Sequence, residues 1–256
     1  MIFDTHAHYD DKVFDEDREQ LLLEMHEKGV AYVVNIGASM DSTRETLKLA
    51  ERYPFVYAAI GVHPSETGEL TKEDILWLRE KAAEPKVVAI GEIGLDYYWQ
   101  EPDKEVQKKW FEEQLYLASE VKLPVVIHSR DAAQDTLEIL KGWQKNKTGG
   151  VIHCFSYGKE IAREYLNMDY YFGIGGVLTF KNARKLVEAV DYIPMDRILL
   201  ETDCPYLAPE PYRGKRNQSS YIDFVAEKLA EIKKISKEEV LAQTTQNAKE
   251  FYFGNR

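Results

Sequence analysis

The chain has 256 residues, 44% hydrophobic and 30% charged, with two cysteines and 33 Lys+Arg against 44 Asp+Glu for a formal net charge of −11. This composition excludes disorder, collagen-like repeats and a disulfide scaffold, and no apolar run approaches the roughly 18–20 residues of a membrane helix. The acidic balance also excludes a nucleic-acid binder that relies on a broad basic surface and the release of many counterions, while leaving room for an enzyme whose bound cations supply positive charge locally.

In chain order, the runs Ile2-Phe3-Asp4-Thr5, Ala31–Ile36, Val56–Ile60, Val87–Ile90, Val125-Val126-Ile127, Gly150-Val151-Ile152, Tyr170–Ile174 and Ile198–Leu200 read as strands. Several are continuously apolar, as parallel strands covered on both faces are. Helical spacing fills Asp15–Lys28, Asp41–Tyr53, Thr71–Ala83, Asp103–Lys122, Asp131–Lys145, Lys159–Asn167 and Asn182–Val190, followed by Tyr221–Lys233 and Lys237–Tyr252. Ser236 with Glu239 three positions on gives the last of these a capping box. The alternation predicts an α/β fold: a single-domain (β/α)8 TIM barrel over residues 1–256 with an additional C-terminal helix. No Gly-rich dinucleotide fingerprint follows the first strand. The opening Met1-Ile2-Phe3-Asp4 lacks the basic and apolar regions of an export signal, which predicts a cytoplasmic protein. Nothing marks a membrane association or an obligate protein partner.

Barrels of this kind carry their chemistry at the C-terminal ends of the strands. The sequence places His6 and His8 just past strand one, His63 past strand three, Glu92, His128 and His153 at the ends of strands four, five and six, and Asp203 after strand eight. Five of the six histidines therefore fall on one rim, and only His26 sits elsewhere, on a helix. His6 and His8 point to the same side by strand periodicity. The same alternation predicts that Cys154 and Cys204 turn outward as small core residues, and that Glu201 faces inward, where it could orient a ligand. Four imidazoles and two carboxylates exceed the needs of one tetrahedral ion with an open position and suit two divalent ions sharing a bridging carboxylate and water.

The segments Asp4-Thr5-His6-Ala7-His8, Gly61-Val62-His63-Pro64, Gly91-Glu92-Ile93-Gly94-Leu95-Asp96, His128-Ser129-Arg130-Asp131-Ala132, His153-Cys154-Phe155-Ser156 and Leu200-Glu201-Thr202-Asp203-Cys204-Pro205 resemble the TatD-type metal-dependent deoxyribonucleases of the amidohydrolase superfamily. The likeness runs on through Pro211–Asn217 and spans essentially the whole chain, with two departures: Tyr157 where a glycine is expected and Ser219 where a proline is expected. The resemblance implies that His6, His8 and Asp203 hold one ion, that His128 and His153 hold the other, and that Glu92 bridges them. It implies Mg²⁺, Mn²⁺ or Zn²⁺, Asp203 as proton acceptor from the attacking water, and His63 and Arg130 as phosphate contacts with Arg213 behind them. A glutamate at position 92, where many superfamily amidases carry a carboxylated lysine, favours phosphodiester chemistry.

The expected activity is 3′-5′ exonucleolytic cleavage of DNA at single-stranded ends, a terminal substrate fitting a closed barrel mouth better than an intact duplex. Tyr97, Tyr98, Phe155 and Tyr206 stand near the rim as candidates for base stacking. Two other substrates would use the same site: the ester of a D-aminoacyl-tRNA, or a small phosphomonoester. A metal-holding barrel that serves only as an interaction protein is the reading from a different class.

Overall fold

A computed structural model describes residues 1–146 and 148–254; Lys147, Asn255 and Arg256, within the predicted span 1–256, lie outside the described residues. Eight parallel strands, β1 (Ile2–Ala7), β2 (Val30–Ile36), β3 (Val56–Ile60), β4 (Val87–Asp96), β5 (Val125–Arg130), β6 (Gly150–Ile152), β7 (Tyr171–Ile174) and β8 (Ile198–Leu200), pair in sequence order. The order closes where Ala7 bridges Cys204 and the Thr5 hydroxyl donates to the Leu200 carbonyl at 3.0 Å. Helices α1 (Arg18–Glu27), α2 (Met40–Arg52), α3 (Lys72–Lys81), α4 (Lys104–Val121), α5 (Ala133–Trp143), α6 (Lys159–Asn167), α7 (Arg184–Tyr192) and α8 (Ile222–Lys233) follow the strands in turn, and α9 (Lys237–Phe253) follows α8. The fold is a (β/α)8 TIM barrel. Among the described residues no helix is long and apolar enough to cross a membrane.

Two apolar layers hold it. One lies between strands and helices; the other fills the barrel interior with Phe3, Val34, Val88, Val126 and Leu199, completed by Ala248, Phe251 and Tyr252 of α9. The Tyr252 hydroxyl donates to the Thr5 carbonyl at 3.0 Å, and Asn247 Nδ2 donates to the Ile198 carbonyl at 2.9 Å. Fully burying one such aromatic side chain contributes about 1.5–3 kcal/mol, so α9 is a structural plug. The capping box expected at Ser236 and Glu239 forms in both directions.

Four elements differ from expectation in ways that matter for the rim, two of them because β1 runs on to Ala7 and β5 to Arg130, which puts His6 and His128 inside strands and not past or at their ends. β4 runs six residues past Ile90, to Asp96, because Gly91 and Gly94 act as close-approach positions and not as breaks. A Cβ on Gly94 (φ +143°) would lie 2.0 Å from the His128 carbonyl, so only glycine lets β4 pass β5 there. Glu92 accordingly sits within β4, not at its end. The first helix starts at Arg18 and not at Asp15, because the Arg18 guanidinium turns back to donate to the carbonyls of Tyr9, Asp10 and Asp11 and to Asp15.

Candidate metal centre

The seam between β1 and β8 places the first donors. Asp4, buried inside β1, accepts from the backbone N–H of His6 (3.2 Å) and of Thr202 (3.1 Å), and from the Thr202 hydroxyl (2.7 Å). The Asp203 N–H donates to the His6 carbonyl at 2.9 Å, and the His8 N–H to the Cys204 carbonyl at 2.8 Å. Asp203 takes a left-handed backbone (φ +57°), uncommon for a residue with a Cβ, which these bonds hold in place. His8 is oriented by its Nδ1, 2.9 Å from the Ile36 carbonyl.

Four donor atoms converge there. His6 Nε2 lies 3.1 Å from His8 Nε2, 3.3 Å from Glu92 Oε2 and 3.7 Å from Asp203 Oδ1. His8 Nε2 lies 3.7 Å from Glu92 Oε2 and 3.3 Å from Asp203 Oδ1. A divalent ion bound at 2.0–2.1 Å by four tetrahedral donors requires donor–donor edges of about 3.4 Å, and these five distances bracket that value. The other oxygen of the same carboxylate, Glu92 Oε1, lies 2.7 Å from His128 Nδ1 and 3.2 Å from His153 Nε2, with His63 Nε2 at 3.9 Å. The residue types and distances thus fit metal ions: His6, His8 and Asp203 form one group that could hold an ion, and His63, Glu92 and His128 form another.

Support reaches beyond the donors. His128 Nε2 is 3.0 Å from Asp96 Oδ2, and His153 Nδ1 is 3.2 Å from Glu201 Oε1, the same oxygen that accepts from the Cys154 N–H at 2.6 Å. A Cβ on Gly173 would come within 2.0 Å of Glu201 Oε2, so the glycine makes room for that carboxylate. The bond to Asp96 fixes which nitrogen of His128 faces the centre, while Glu201 sets a negative charge beside His153 Nδ1.

Burial opposes the charge on Glu92, but the charges of His153 and His6 and the His128 hydrogen bond outweigh it and hold the carboxyl well below the usual carboxylate range. Asp203 is likewise held down against burial by the His8 hydrogen bond and by His153 and His6. Burial works against protonating His8, yet its bond to Asp203 and the charges of Asp203 and Glu92 lift it to about 9. His63 is pushed down to about 3 by burial and by the neighbouring His128. The carboxylates are thus the fixed charges, and protons on the imidazoles are what a divalent cation would displace.

The cluster opens into a cavity of about 650 Å³ lined by His8, His63, Glu92, His128, His153 and Asp203, with Arg130 as the one arginine or lysine among the described lining residues. Arg213 is not brought there; it is exposed, its guanidinium 4.2 Å from the Phe180 ring centroid. Cys204 is a buried core residue as expected, but Cys154 does not turn outward. Strand alternation stops at Ile152, and a left-handed backbone (φ +45°) brings its thiol within 4.8 Å of donor atoms of His153 and Asp203. Among the rim aromatics, Phe155 is buried and the Tyr97 hydroxyl donates to Asp135 at 2.6 Å, while Tyr206 lines the cavity. Neither departure from the family pattern lines the cavity. The Tyr157 hydroxyl donates to the Ser129 carbonyl at 2.9 Å beneath β5, and the Ser219 N–H donates to the Tyr9 hydroxyl at 2.9 Å, a bond that proline could not make.

Sequence reasoning passed over Asp96, Trp99, Asp10 and Asp11, all of which line the cavity. Asp96 had a signal: it shares the period-two face of Glu92, visible once β4 is carried past Gly91. Trp99 and the two aspartates sit on loops, where no periodicity points.

The family profile "TatD related DNase" matches residues 3–253. The chain is 46% identical to the Bacillus subtilis uncharacterized metal-dependent hydrolase YabD over 98% of its own length and 99% of the relative's. It is 32% identical to the Erwinia tasmaniensis 3′-5′ ssDNA/RNA exonuclease TatD, with coverage of 98% and 99%. The crystal structure of YJJV, a TatD homolog from Escherichia coli K12, superimposes with a TM-score of 0.92 at 30% identity, covering 98% of this chain and 97% of that one. With its donor cluster, its barrel and these full-length likenesses, the chain belongs to the TatD family of metal-dependent hydrolases.

Proposed function

We propose that the whole chain, residues 1–256, is one cytoplasmic hydrolase domain that uses two divalent cations to cleave phosphodiester bonds at single-stranded DNA ends in the 3′-5′ direction. His6, His8 and Asp203 would hold one cation, His128 and His153 the other, and Glu92 would share one oxygen with each. The observation that carries the reading is the placing of the two Glu92 oxygens, one toward each histidine pair, at the base of a cavity that Arg130 also lines. Mg²⁺, Mn²⁺ or Zn²⁺ held there would supply Lewis acidity toward the phosphodiester and the attacking water.

The protein's own part is positional. Asp203, held ionised, accepts the proton of the attacking water at a carboxylate oxygen. Arg130 presents a planar guanidinium to phosphate oxygens. His63, held neutral by burial, offers a hydrogen bond without adding charge. Asp96 and Glu201 keep His128 and His153 in register. The exonuclease relative supports the choice of nucleic acid and of direction.

End-labelled single strands test the proposal. The metal-loaded protein should release mononucleotides progressively from the 3′ end, and Glu92→Gln should abolish the release. Preferential deacylation of a D-aminoacyl-tRNA with intact DNA ends would transfer the activity to the ester reading, and turnover confined to small phosphomonoesters would make it a phosphatase.

A further inference from the structure

Apart from the donor cluster, the cavity is walled by Asp10, Asp11 and Asp96 against the single cation Arg130. Beyond the phosphate that cations held by the donor cluster would draw, the walls offer a strand attraction for about one more, and the acids repel the rest. At about 650 Å³ the space has the scale that encloses one small ligand and not a polymer. What binds the end of a strand there must be largely uncharged.

Two large rings supply such a contact. Trp99 is 53% exposed and Tyr206 is 55% exposed, and both line the cavity. Trp99 follows β4 and Tyr206 follows β8; strands four apart in a closed order of eight stand across the barrel from one another, so the two residues enter the cavity from opposite sides of one rim. Neither is a loose surface ring. The Tyr206 hydroxyl donates to Asp11 at 2.8 Å, its N–H donates to the Asp203 carbonyl at 2.9 Å, and its carbonyl accepts from Asn217 at 2.8 Å. The Trp99 and Tyr98 rings stand perpendicular (centroids 5.1 Å apart, planes at 89°), and the face of Tyr98 carries the Arg130 guanidinium at 3.8 Å. Tyr98 is therefore occupied with positioning Arg130, and the open aromatic faces are those of Trp99 and Tyr206.

We infer that Trp99 and Tyr206 form a clamp that stacks the terminal base of a single strand while Arg130, braced by Tyr98, takes the adjoining phosphate. The inference rests on the nuclease reading above and deepens it: the protein recognises a base-bearing end without reading its sequence, because every base has a face to stack. It also separates nucleotide ends from sugar phosphates and abasic ends.

The test compares single strands whose terminal nucleotide is normal or abasic. Each protein is scored by its own ratio of kcat/KM on the two strands, so a general loss of activity in a variant does not alter the score. Wild type should prefer the normal end by roughly five- to hundredfold, the scale of one aromatic–base stack. Trp99→Ala/Tyr206→Ala should bring the ratio close to one, and Trp99→Phe/Tyr206→Phe should restore most of it. In parallel, a terminal 2-aminopurine should be quenched on binding wild type and not on binding the double alanine variant. A wild-type ratio near one overturns the clamp while leaving the nuclease reading intact. A preference that survives in the double alanine variant overturns the assignment to these two residues. Failure of the nuclease reading would show separately, as no mononucleotide release from either strand, and the clamp would fall with it.

Discussion

Replacing Glu92 by glutamine is the sharpest perturbation this centre allows. The amide keeps the shape of a side chain that is only 3% exposed, so packing survives and only charge and one acceptor are lost. Glu92 Oε2 is 3.3 Å from His6 Nε2, and Oε1 is 2.7 Å from His128 Nδ1. At an effective dielectric constant of 20, each unit of cation charge at that longer separation from the carboxylate is worth about 5 kcal/mol. Removing the burial penalty of the carboxylate returns part of this, leaving about 3 kcal/mol, or two orders of magnitude in metal affinity. The amide must also point its NH₂ toward one of the two histidine pairs, so one pair suffers more. Titration of metal-free protein against a competing chromophoric chelator, with elemental analysis of the washed product, measures this directly. We expect two ions per wild-type chain and at most one, bound at least a hundredfold more weakly, in Glu92→Gln. A variant that retains two ions with affinity within threefold of wild type refutes the bridging role.

Chelation should abolish turnover, and restoring a divalent cation to a hundred times its dissociation constant should recover it and stabilise the fold by about 2.7 kcal/mol per site, read as a rise in Tm. Arg130→Ala should lower kcat/KM on single-stranded DNA about tenfold to a hundredfold; with one cationic contact, log affinity should fall against log salt with a slope of only about −0.7, and a slope of several units would mean a phosphate track elsewhere on the surface. Tyr252→Phe removes the bond to the Thr5 carbonyl and should cost about 1–2 kcal/mol in a denaturant titration. Arg216→Ala breaks the pair with Asp17, whose hydrogen bond from Arg216 holds its carboxyl below the usual range. The part of the difference from wild type owed to the pair, about 0.5–1 kcal/mol for one so exposed, should be complete above pH 4 and vanish as the pH falls through the lowered Asp17 value, leaving only what the Arg216 contacts with the Val13 carbonyl and the Phe14 ring contribute.

How legible the centre is in the sequence depends on the kind of element. His153 and Asp203 were readable because each closely follows a continuous apolar run, His6 and His8 because strand periodicity turns both to one side, and barrel closure does the rest. Asp96 was hidden because two glycines resemble a strand end, although here they are what allows β4 to pass close to β5. The outward turn expected of Cys154 failed for a related reason: period two holds only while the chain stays in the strand, and one left-handed residue reverses the side a group faces. Arg213 sits in a basic run whose place in space depends on the long loop after β8, which no local pattern determines. Trp99 and Tyr206 carry no periodicity at all; only the topology, placing β4 opposite β8, gives them a common purpose.

The plug formed by α9 ties the order of synthesis to the order of assembly. His6 and His8 emerge first from the ribosome, yet β1 gains its β8 neighbour only after some two hundred further residues, and the barrel floor beneath Thr5 is sealed later still, when Tyr252 arrives. A growing chain therefore carries His6 and His8 long before Glu92 and Asp203 can join them, and the floor under that donor set closes only when α9 docks.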